Sequence, residues 1–533
     1  MTLLLGSVLA LICRTYVWGL IGLIVAVIAY YYFSRRNAFN YWKDRHICGP
    51  KPIPIFGNLL SLSLKPRPLL ELEWYKKYGK IYGLYSSAKP VLTVADPKLI
   101  KQILVKDFNA FRNRSTPPGD GNLIMVRARD NNWKRIRAIV SPTFTSGKMR
   151  KMYALIDRCC EDFVNTLAND VSNGVNEVEL TRLMGAYAMD VIASCAFSTK
   201  TNTYADPNNP FTTNAINYIN VPRWKRVLPM LLPSFIVNTN IYRRVVNVRI
   251  TETTFFADLS RSLIKKRRNN SEKHNDFLQL LIDAERPDGD VREASDANEA
   301  HHVNEGKDEM KADAEAFSDV LEKKLTEDEI LAQCLLFFVA GEETTSTTLS
   351  FCTYELALNP GLQDKLYEEI KRVFTEKGEM DYEVLSRLPF LDALVSETLR
   401  HYSPLLRLER EAMEDVVLDN TGVKIEKGVI VEIPVYGIHH DPDHYPDPFT
   451  FTPDRFMPSN RGHIQPYTYL PFGSGPRNCI AMRFALLEVK LTLAKISHSF
   501  RFSRVTDTDV PVIYTGVRPL IQAKRLVVGI HKR

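Results

Sequence analysis

Phe472-Gly473-Ser474-Gly475-Pro476-Arg477-Asn478-Cys479-Ile480-Ala481 places one cysteine behind two glycines and a proline, at the head of an apolar-periodic run. Leu486, Val489, Leu493, Ile496 and Phe500 follow at alternating spacings of three and four, which is the apolar face of a helix. At a helix N-terminus the positive end of the dipole favours thiolate over thiol, and a thiolate is a ligand for a soft metal. A buried structural cysteine in a glycine-rich turn fits the same residues. Ala340-Gly341-Glu342-Glu343-Thr344-Thr345 is a polar interruption inside an otherwise apolar helix. Hydroxyl groups that bond back to the preceding turn, together with a glycine, loosen the helical ladder and leave room for a small ligand; a solvated helix face is the plainer reading. Trp133 and Arg137 stand at i and i+4 on one helical face, and Glu397 and Arg400 at i and i+3 form an ordinary ion-pair spacing.

Taken together these segments resemble the cytochrome P450 enzymes. The family's haem-binding loop, Phe-x-x-Gly-x-Arg-x-Cys-x-Gly, is matched by Phe472, Gly475, Arg477 and Cys479, with Ala481 in place of the last glycine. Ser141-Pro142-Thr143-Phe144-Thr145-Ser146-Gly147-Lys148 and Gly185-Ala186-Tyr187-Ala188-Met189-Asp190-Val191 resemble the drug-metabolising family 3 of animals. The resemblance implies a mainly α fold with small β-sheets, the cytochrome P450 fold, and haem b held by the Cys479 thiolate as axial ligand of its iron. It implies that Trp133, Arg137, Arg114, Arg410 and Arg477 serve the haem propionates, because a buried dianionic edge needs fixed guanidinium partners. Thr344 and Glu343 take the places of the hydroxyl and acid that manage protons for dioxygen. Glu397, Arg400 and the Arg455 of Pro453-Asp454-Arg455-Phe456 correspond to the network that locks the chain leading to the cysteine. Leu336, Phe337, Val339, Ala340, Leu405 and Leu406 are expected to wall the substrate pocket.

The elements that must position these residues are readable in outline. Thr326-Glu327-Asp328-Glu329 is a capping box that starts a helix ending at Asn359-Pro360, about 48 Å long. Leu69 to Tyr78 reads as a helix, and Lys80 to Ala95 as two strands. The 533 residues are 45% hydrophobic and 25% charged, with no repeat, which favours one large catalytic domain (59–533) over several. Its eight cysteines lack CxxC pairing, as expected of reduced thiols facing a cytosol. Ahead of the domain, within an N-terminal segment 1–36, the uncharged run Tyr16 to Phe33 rises about 27 Å as a helix, close to a bilayer's hydrocarbon core. Arg35, Arg36, Lys43, Arg45 and Lys51 follow it, so the positive-inside rule predicts a single-pass anchor in the endoplasmic reticulum membrane with the domain in the cytosol. Gly49-Pro50-Lys51-Pro52-Ile53-Pro54-Ile55-Phe56-Gly57, within 37–58, reads as a semi-rigid proline-rich hinge. The basic, aromatic and proline-broken stretch from Val221 to Val237 suits shallow insertion into a membrane interface or plain core packing.

Charge is partitioned unevenly. Residues 283–315 hold twelve acids against four bases, a net of −8, and are expected to be a surface loop. The whole chain carries +7, so the remainder carries +15. No nucleic-acid motif accompanies that excess, which points to membrane lipid and an acidic protein partner. The resemblance names the partner as NADPH-cytochrome P450 reductase, with cytochrome b5 as a second donor, and the reaction as insertion of one atom of O2 into a small lipophilic substrate. A haem-thiolate isomerase of the thromboxane-synthase kind would not need Thr344, and a haem carrier would need neither the long helix nor a donor-facing charge excess.

Overall fold

The computed structural model describes residues 36–115, 123–201, 250–269, 276–283, 307–318, 324–378, 380–515 and 520–533 without a break, plus isolated positions between them. Most of the expected span at 16–33, and all of 221–237 except Leu228, lie outside the described residues. Among the described residues no helix is long and apolar enough to cross a membrane.

One helix organises the rest. The long helix Glu327–Leu358 opens with the capping box the sequence predicts: Thr326 Oγ1 accepts from Glu329 N–H, and Glu329 reaches back to Thr326 N–H. Residues on every side of it are buried, as in a helix that passes through a core rather than along its surface. It packs against helices Leu180–Phe197, Pro389–His401 and Met482–Ser499. The approach to Leu180–Phe197 is unusually close, since a Cβ on Gly341 would lie 2.4 Å from Ile192 Cδ1 and one on Gly185 3.0 Å from Glu342 Oε1. Small residues at both contact points let the two backbones approach.

Three small sheets flank the helices. The largest has the order β1 (Ile81–Ser86), β2 (Lys89–Val94), β7 (Ile430–Ile433), β4 (Leu408–Glu411). β1 and β2 form the expected hairpin, with Ser87 at φ 56 in its two-residue turn. Pro90, which has no N–H to donate, precedes the parallel pairing of β2 with β7, which begins at Val91. β3 (Glu177–Glu179), β9 (Val527–Lys532) and β8 (Phe500–Ser503) form the second sheet, and β5 (Val416–Val417) with β6 (Lys424–Ile425) the third.

Two segments pack against the domain. The segment that holds the proline-rich hinge is docked along β1. Trp42 is buried over Gly83, where a Cβ would come within 2.3 Å of its ring, and its Nε1 donates to Leu84 O at 2.9 Å. Cys48 O accepts from Gly83 N–H, and Arg45 pairs with Glu426 at 2.6 Å. The tryptophan supplies apolar area that the prolines lack. The acidic stretch is not a loop throughout: its end forms a helix, Lys307–Phe317, anchored by buried Ala316. Alanine, lysine and glutamate there are good helix formers, a preference that the net charge masks.

At the far end of the long helix, Glu355 Oε1 accepts Tyr402 O–H at 2.6 Å and Oε2 accepts Asn359 Nδ2–H at 3.0 Å. Burial nevertheless pushes its carboxyl from the ordinary 4.5 up to about 7. Across that window the folded protein keeps a proton that the unfolded chain has released. Stability from this group is therefore full below the unfolded value and falls as pH rises to the folded one, by up to about 3 kcal/mol. Glu355→Gln, which mimics the protonated acid, is expected to flatten the dependence of the urea midpoint between pH 5 and pH 8, to be measured against wild type.

Candidate active site

The cysteine loop is a closed turn. Cys479 N–H donates to Phe472 O at 2.8 Å and Asn478 N–H to Gly475 O at 2.9 Å. Gly473 and Gly475 have φ of 74 and 69, a region that side chains rarely enter. Gly475 is tighter still, because a Cβ there would sit 2.0 Å from Leu104 O. The helix Met482–Ser499 starts directly after, with Ala481 as its N-cap. Ala481 has φ −95 and ψ 19, so alanine in the family's glycine position carries no backbone strain.

Cys479 is accessible, whereas Cys160, Cys195, Cys334 and Cys352 are buried. Its accessibility is to an interior space: burial raises its thiol pKa, opposed by the N–H of Ala481 and the guanidiniums of Arg137 and Arg114. A thiolate formed here has a backbone donor and two cations in place to hold it.

Beside the loop, guanidiniums converge beyond what the protein itself satisfies. Arg137 donates to Asn478 O and Oδ1 at 3.0 and 2.7 Å, and Arg114 to Arg477 O at 3.2 Å. Arg477 is buried, donates once to Ala128 O at 2.6 Å, and lies 4.4 Å from the centre of the buried Trp133 ring. Its Nε and Nη1, and Nε of buried Arg410, have no hydrogen-bond partner. Burial, then repulsion from Arg114, Arg410, Arg137 and Arg129, drags the Arg477 pKa down to about 7. Burial and Arg114 bring Arg410 to about 9, and burial brings Arg137 to about 10. Orphaned buried donors beside repelling cations fit an anionic group with several acceptor oxygens, as the two propionates of haem provide.

The long helix presents an open stripe. Leu336, Val339, Ala340, Glu343 and Thr344 keep accessible surface at spacings of three and four, with Ala340 exposed in mid-helix. Thr344 Oγ1 donates to Ala340 O at 2.7 Å, the back-bond expected of it. Glu343 Oε1 accepts Gln522 Nε2–H at 3.0 Å. Gln522 lies in the strand-like return beside Leu405, where Ile521 N–H donates to Pro404 O and Leu405 bridges Leu520.

Two expected pocket residues lie elsewhere. Phe337 is buried and packs on Phe144 and Phe277, because one residue along a helix turns the side chain about 100° away from Leu336. Leu406 is fully buried while Leu405 stays partly accessible, since successive residues of an extended chain face opposite ways.

Glu397, Arg400 and Arg455 do come together. Arg400 grips Glu397 with two bonds of 2.7 and 2.8 Å and donates again to His439 O and Pro448 O. Arg455 Nε lies 3.6 Å from Glu397 Oε1, and its Nη2 donates to Pro446 O. Gln522, Asn478 and Leu104 were not singled out by the sequence; each acts on a residue or loop that was, and each is remote from it or carries no motif.

A thiol at a helix mouth, a set of under-satisfied guanidiniums beside it and an opened stripe on a long helix define a haem-thiolate protein. Comparison with known proteins agrees: the family model described as Cytochrome P450 matches residues 48–528. Cytochrome P450 3A2 of Rattus norvegicus is 37% identical over 524 residues, covering 97% of this chain and 96% of that protein. Cytochrome P450 3A7 of Homo sapiens is 36% identical over 522 residues, 96% of each. Cytochrome P450 3A41 of Mus musculus is 36% identical over 500 residues, 93% of this chain and 92% of the relative. The chain belongs to the cytochrome P450 family. It is a haem-thiolate monooxygenase, and its cofactor is haem b with a cysteine thiolate ligand.

Gly475→Ala combines about 1–3 kcal/mol of left-handed backbone strain with the contact at Leu104 O. Gly473→Ala carries the strain but meets only Leu408, at 3.6 Å. Haem content per protein, read from the Soret band, is therefore expected to fall clearly further in Gly475→Ala than in Gly473→Ala.

Proposed function

We propose that Cys479 is the thiolate ligand and that the protein oxygenates a lipophilic molecule of the xenobiotic, steroid or fatty-acid-like kind. In this reading NADPH electrons arrive through cytochrome P450 reductase, with cytochrome b5 as a possible second donor, at the cytosolic face of the endoplasmic reticulum membrane. The observation that carries the reading is the cluster of orphaned guanidinium donors beside an accessible interior thiol. The uncharged run from Tyr16 to Phe33 with bases behind it supports the membrane location. Likeness to the 3A relatives supports the broad substrate class.

When bound, haem supplies the iron at which O2 is reduced and one of its atoms is transferred to the substrate. The chain's own groups do the rest. Arg114, Arg137, Arg410 and Arg477 hold the propionates, which gives the orphaned donors of Arg410 and Arg477 their acceptors. Ala481 N–H and the nearby guanidiniums oppose the burial that raises the Cys479 thiol pKa, and would hold the thiolate once it ligates the iron. The stripe of Leu336, Val339 and Ala340, with Leu405 nearby, gives an apolar substrate its resting surface and excludes water. Thr344 spends its proton on Ala340 O, so its oxygen can accept a hydrogen bond from an incoming water and hold it. Glu343, fixed at Oε1 by Gln522, is the acid beside it that passes protons inward.

Proton transfer through positioned groups is worth about 10²–10⁴-fold, and Thr344 holds the water through which it runs, so Thr344→Ala is expected to lower product formed per NADPH consumed by roughly tenfold or more. The measurement uses the purified full chain with reductase, scored by NADPH, peroxide and product. Unchanged coupling would favour isomerase chemistry. A reduced carbon monoxide adduct without a thiolate-type Soret band in wild type would remove Cys479 from its role.

A further inference from the structure

The helix Lys307–Phe317 takes no part in the chemistry above, yet its position is specific. Asp308 pairs with Lys101 at 2.6 Å, and Tyr467 O–H donates to Glu309. The Phe317 ring centroid lies 5.6 Å from that of Trp133. Asp313 is near enough to Arg137 to support its charge, and Lys106 does the same for Asp308. The helix thus spans the turn Gln102–Lys106, the helix Asp130–Val140 and Tyr467 of the segment leading to the cysteine loop.

All three supports lead to Cys479. Leu104 O fills the space beside Gly475, Arg137 binds Asn478, and Trp133 carries Arg477 on its ring. The acidic helix therefore covers the outer face of the elements that hold the thiolate, and it does so by presenting carboxylates to Lys101, Lys106 and Arg137. Its apolar anchors are few: Ala312, Ala316 and Phe317 pack inward while Met310 is 59% exposed. Isolated helices of this length are marginal, and the part-exposed Lys101–Asp308 pair holds weakly and yields to salt, which leaves the buried Glu309–Tyr467 bond and Phe317 as the helix's firm contacts. An ion pair of this kind exchanges readily for another surface that offers the same groups.

We infer that the face made by Lys101, Lys106 and Tyr467 is a docking surface for an acidic electron-donating protein, and that the helix 307–317 occupies it as an intramolecular competitor. The inference rests on the proposed delivery of electrons by a reductase. Tethering gives the helix a high effective concentration at this face, so the donor must displace it. Partition of the chain into an acidic segment of −8 and a remainder of +15 is the charge pattern such competition needs.

The test uses the full-length holoenzyme and NADPH-cytochrome P450 reductase as the probe. The first reading is amide hydrogen exchange of residues 307–317, expected to speed up when the reductase is bound. The second is reductase affinity at low salt for Asp308→Lys with Asp313→Lys, compared with Asp258→Lys and Glu383→Lys as a remote pair of equal charge change. The helix variant is expected to bind at least roughly fivefold more tightly than the remote control, the lower range of a coupling between sites. Dithionite-reduced carbon monoxide spectra identical to wild type verify that both variants hold haem. A synthetic peptide of residues 307–317 is expected to compete with the reductase for the helix variant. Unchanged protection of the helix in the complex, or equal affinity gains in both variants, overturns the competitor and leaves the reductase reading standing. Absence of reductase binding by wild type and variant alike overturns the reductase reading and the competitor with it.

Discussion

Burial of positive charge that the polypeptide alone does not satisfy is the constraint on which the structure depends. A guanidinium holds its proton far more strongly than other side chains, and burial that drags its pKa down is a measure of the cost, so each buried Arg must find acceptors. Arg477 finds one carbonyl and an aromatic face, Arg410 finds the carbonyl of Glu409, and three of their donor nitrogens are left over. A cluster of this sort destabilises a protein unless something anionic joins it. Its cationic members come from far apart in the chain: Arg114 before the helix Asp130–Val140, Arg137 on it, Arg410 on β4, and Arg477 in the cysteine loop. A dianionic cofactor bound to them, as proposed, would do for these elements what a disulfide or a metal does for smaller folds, holding distant segments together by binding only the native arrangement.

The Glu397 network is the opposite case, a buried charge satisfied by the chain itself. Arg400 and Glu397 are both fully buried, and each has its geometry completed by backbone partners: His439 O, Pro448 O and Thr452 N–H. His439 extends the connection. Its Nε2 accepts from Leu470 N–H, so Nδ1 carries the proton and donates to Arg400 O. Burial pushes its pKa down to about 3, which keeps the ring neutral and able to do both. A continuous path of hydrogen bonds thus runs from the helix Pro389–His401 to Leu470, two residues ahead of Phe472. Removing one partner would leave a charge buried and unpaired, which is far costlier than never having built the pair. The network fixes where the cysteine loop begins, and the guanidinium cluster fixes where it ends.

How much of this was legible in the sequence depends on whether the interaction is local. The capping box at Thr326, the back-bond of Thr344 and the Glu397–Arg400 pair lie within one turn of helix, so spacing alone placed them. The turn glycines of the cysteine loop were legible for the same reason. Gln522 on Glu343 joins residues 179 apart, and no pattern around either announces the other. Leu104 at Gly475 is invisible in a different way, because its backbone oxygen makes the contact and any residue could supply it. Phe337 was misplaced through grouping by adjacency: helical period puts Leu336 with Ala340, not with its neighbour. The acidic stretch misled because composition outweighed propensity, and the partners that fix the eleven-residue helix at its end, Lys101, Trp133 and Tyr467, come from three other places in the chain.

Ala481 sharpens what the loop requires. A glycine is needed where φ is positive or where a Cβ would collide, and Gly473 and Gly475 meet one or both conditions. Ala481, at φ −95, does not meet the first. Its N–H still supports the Cys479 sulfur, which depends on backbone direction and is indifferent to a methyl group. Whatever a glycine offers at this position in relatives is therefore room rather than conformation. In this chain the added methyl packs at the edge of the main core beside Ile480 and Met482, at the head of the helix Met482–Ser499.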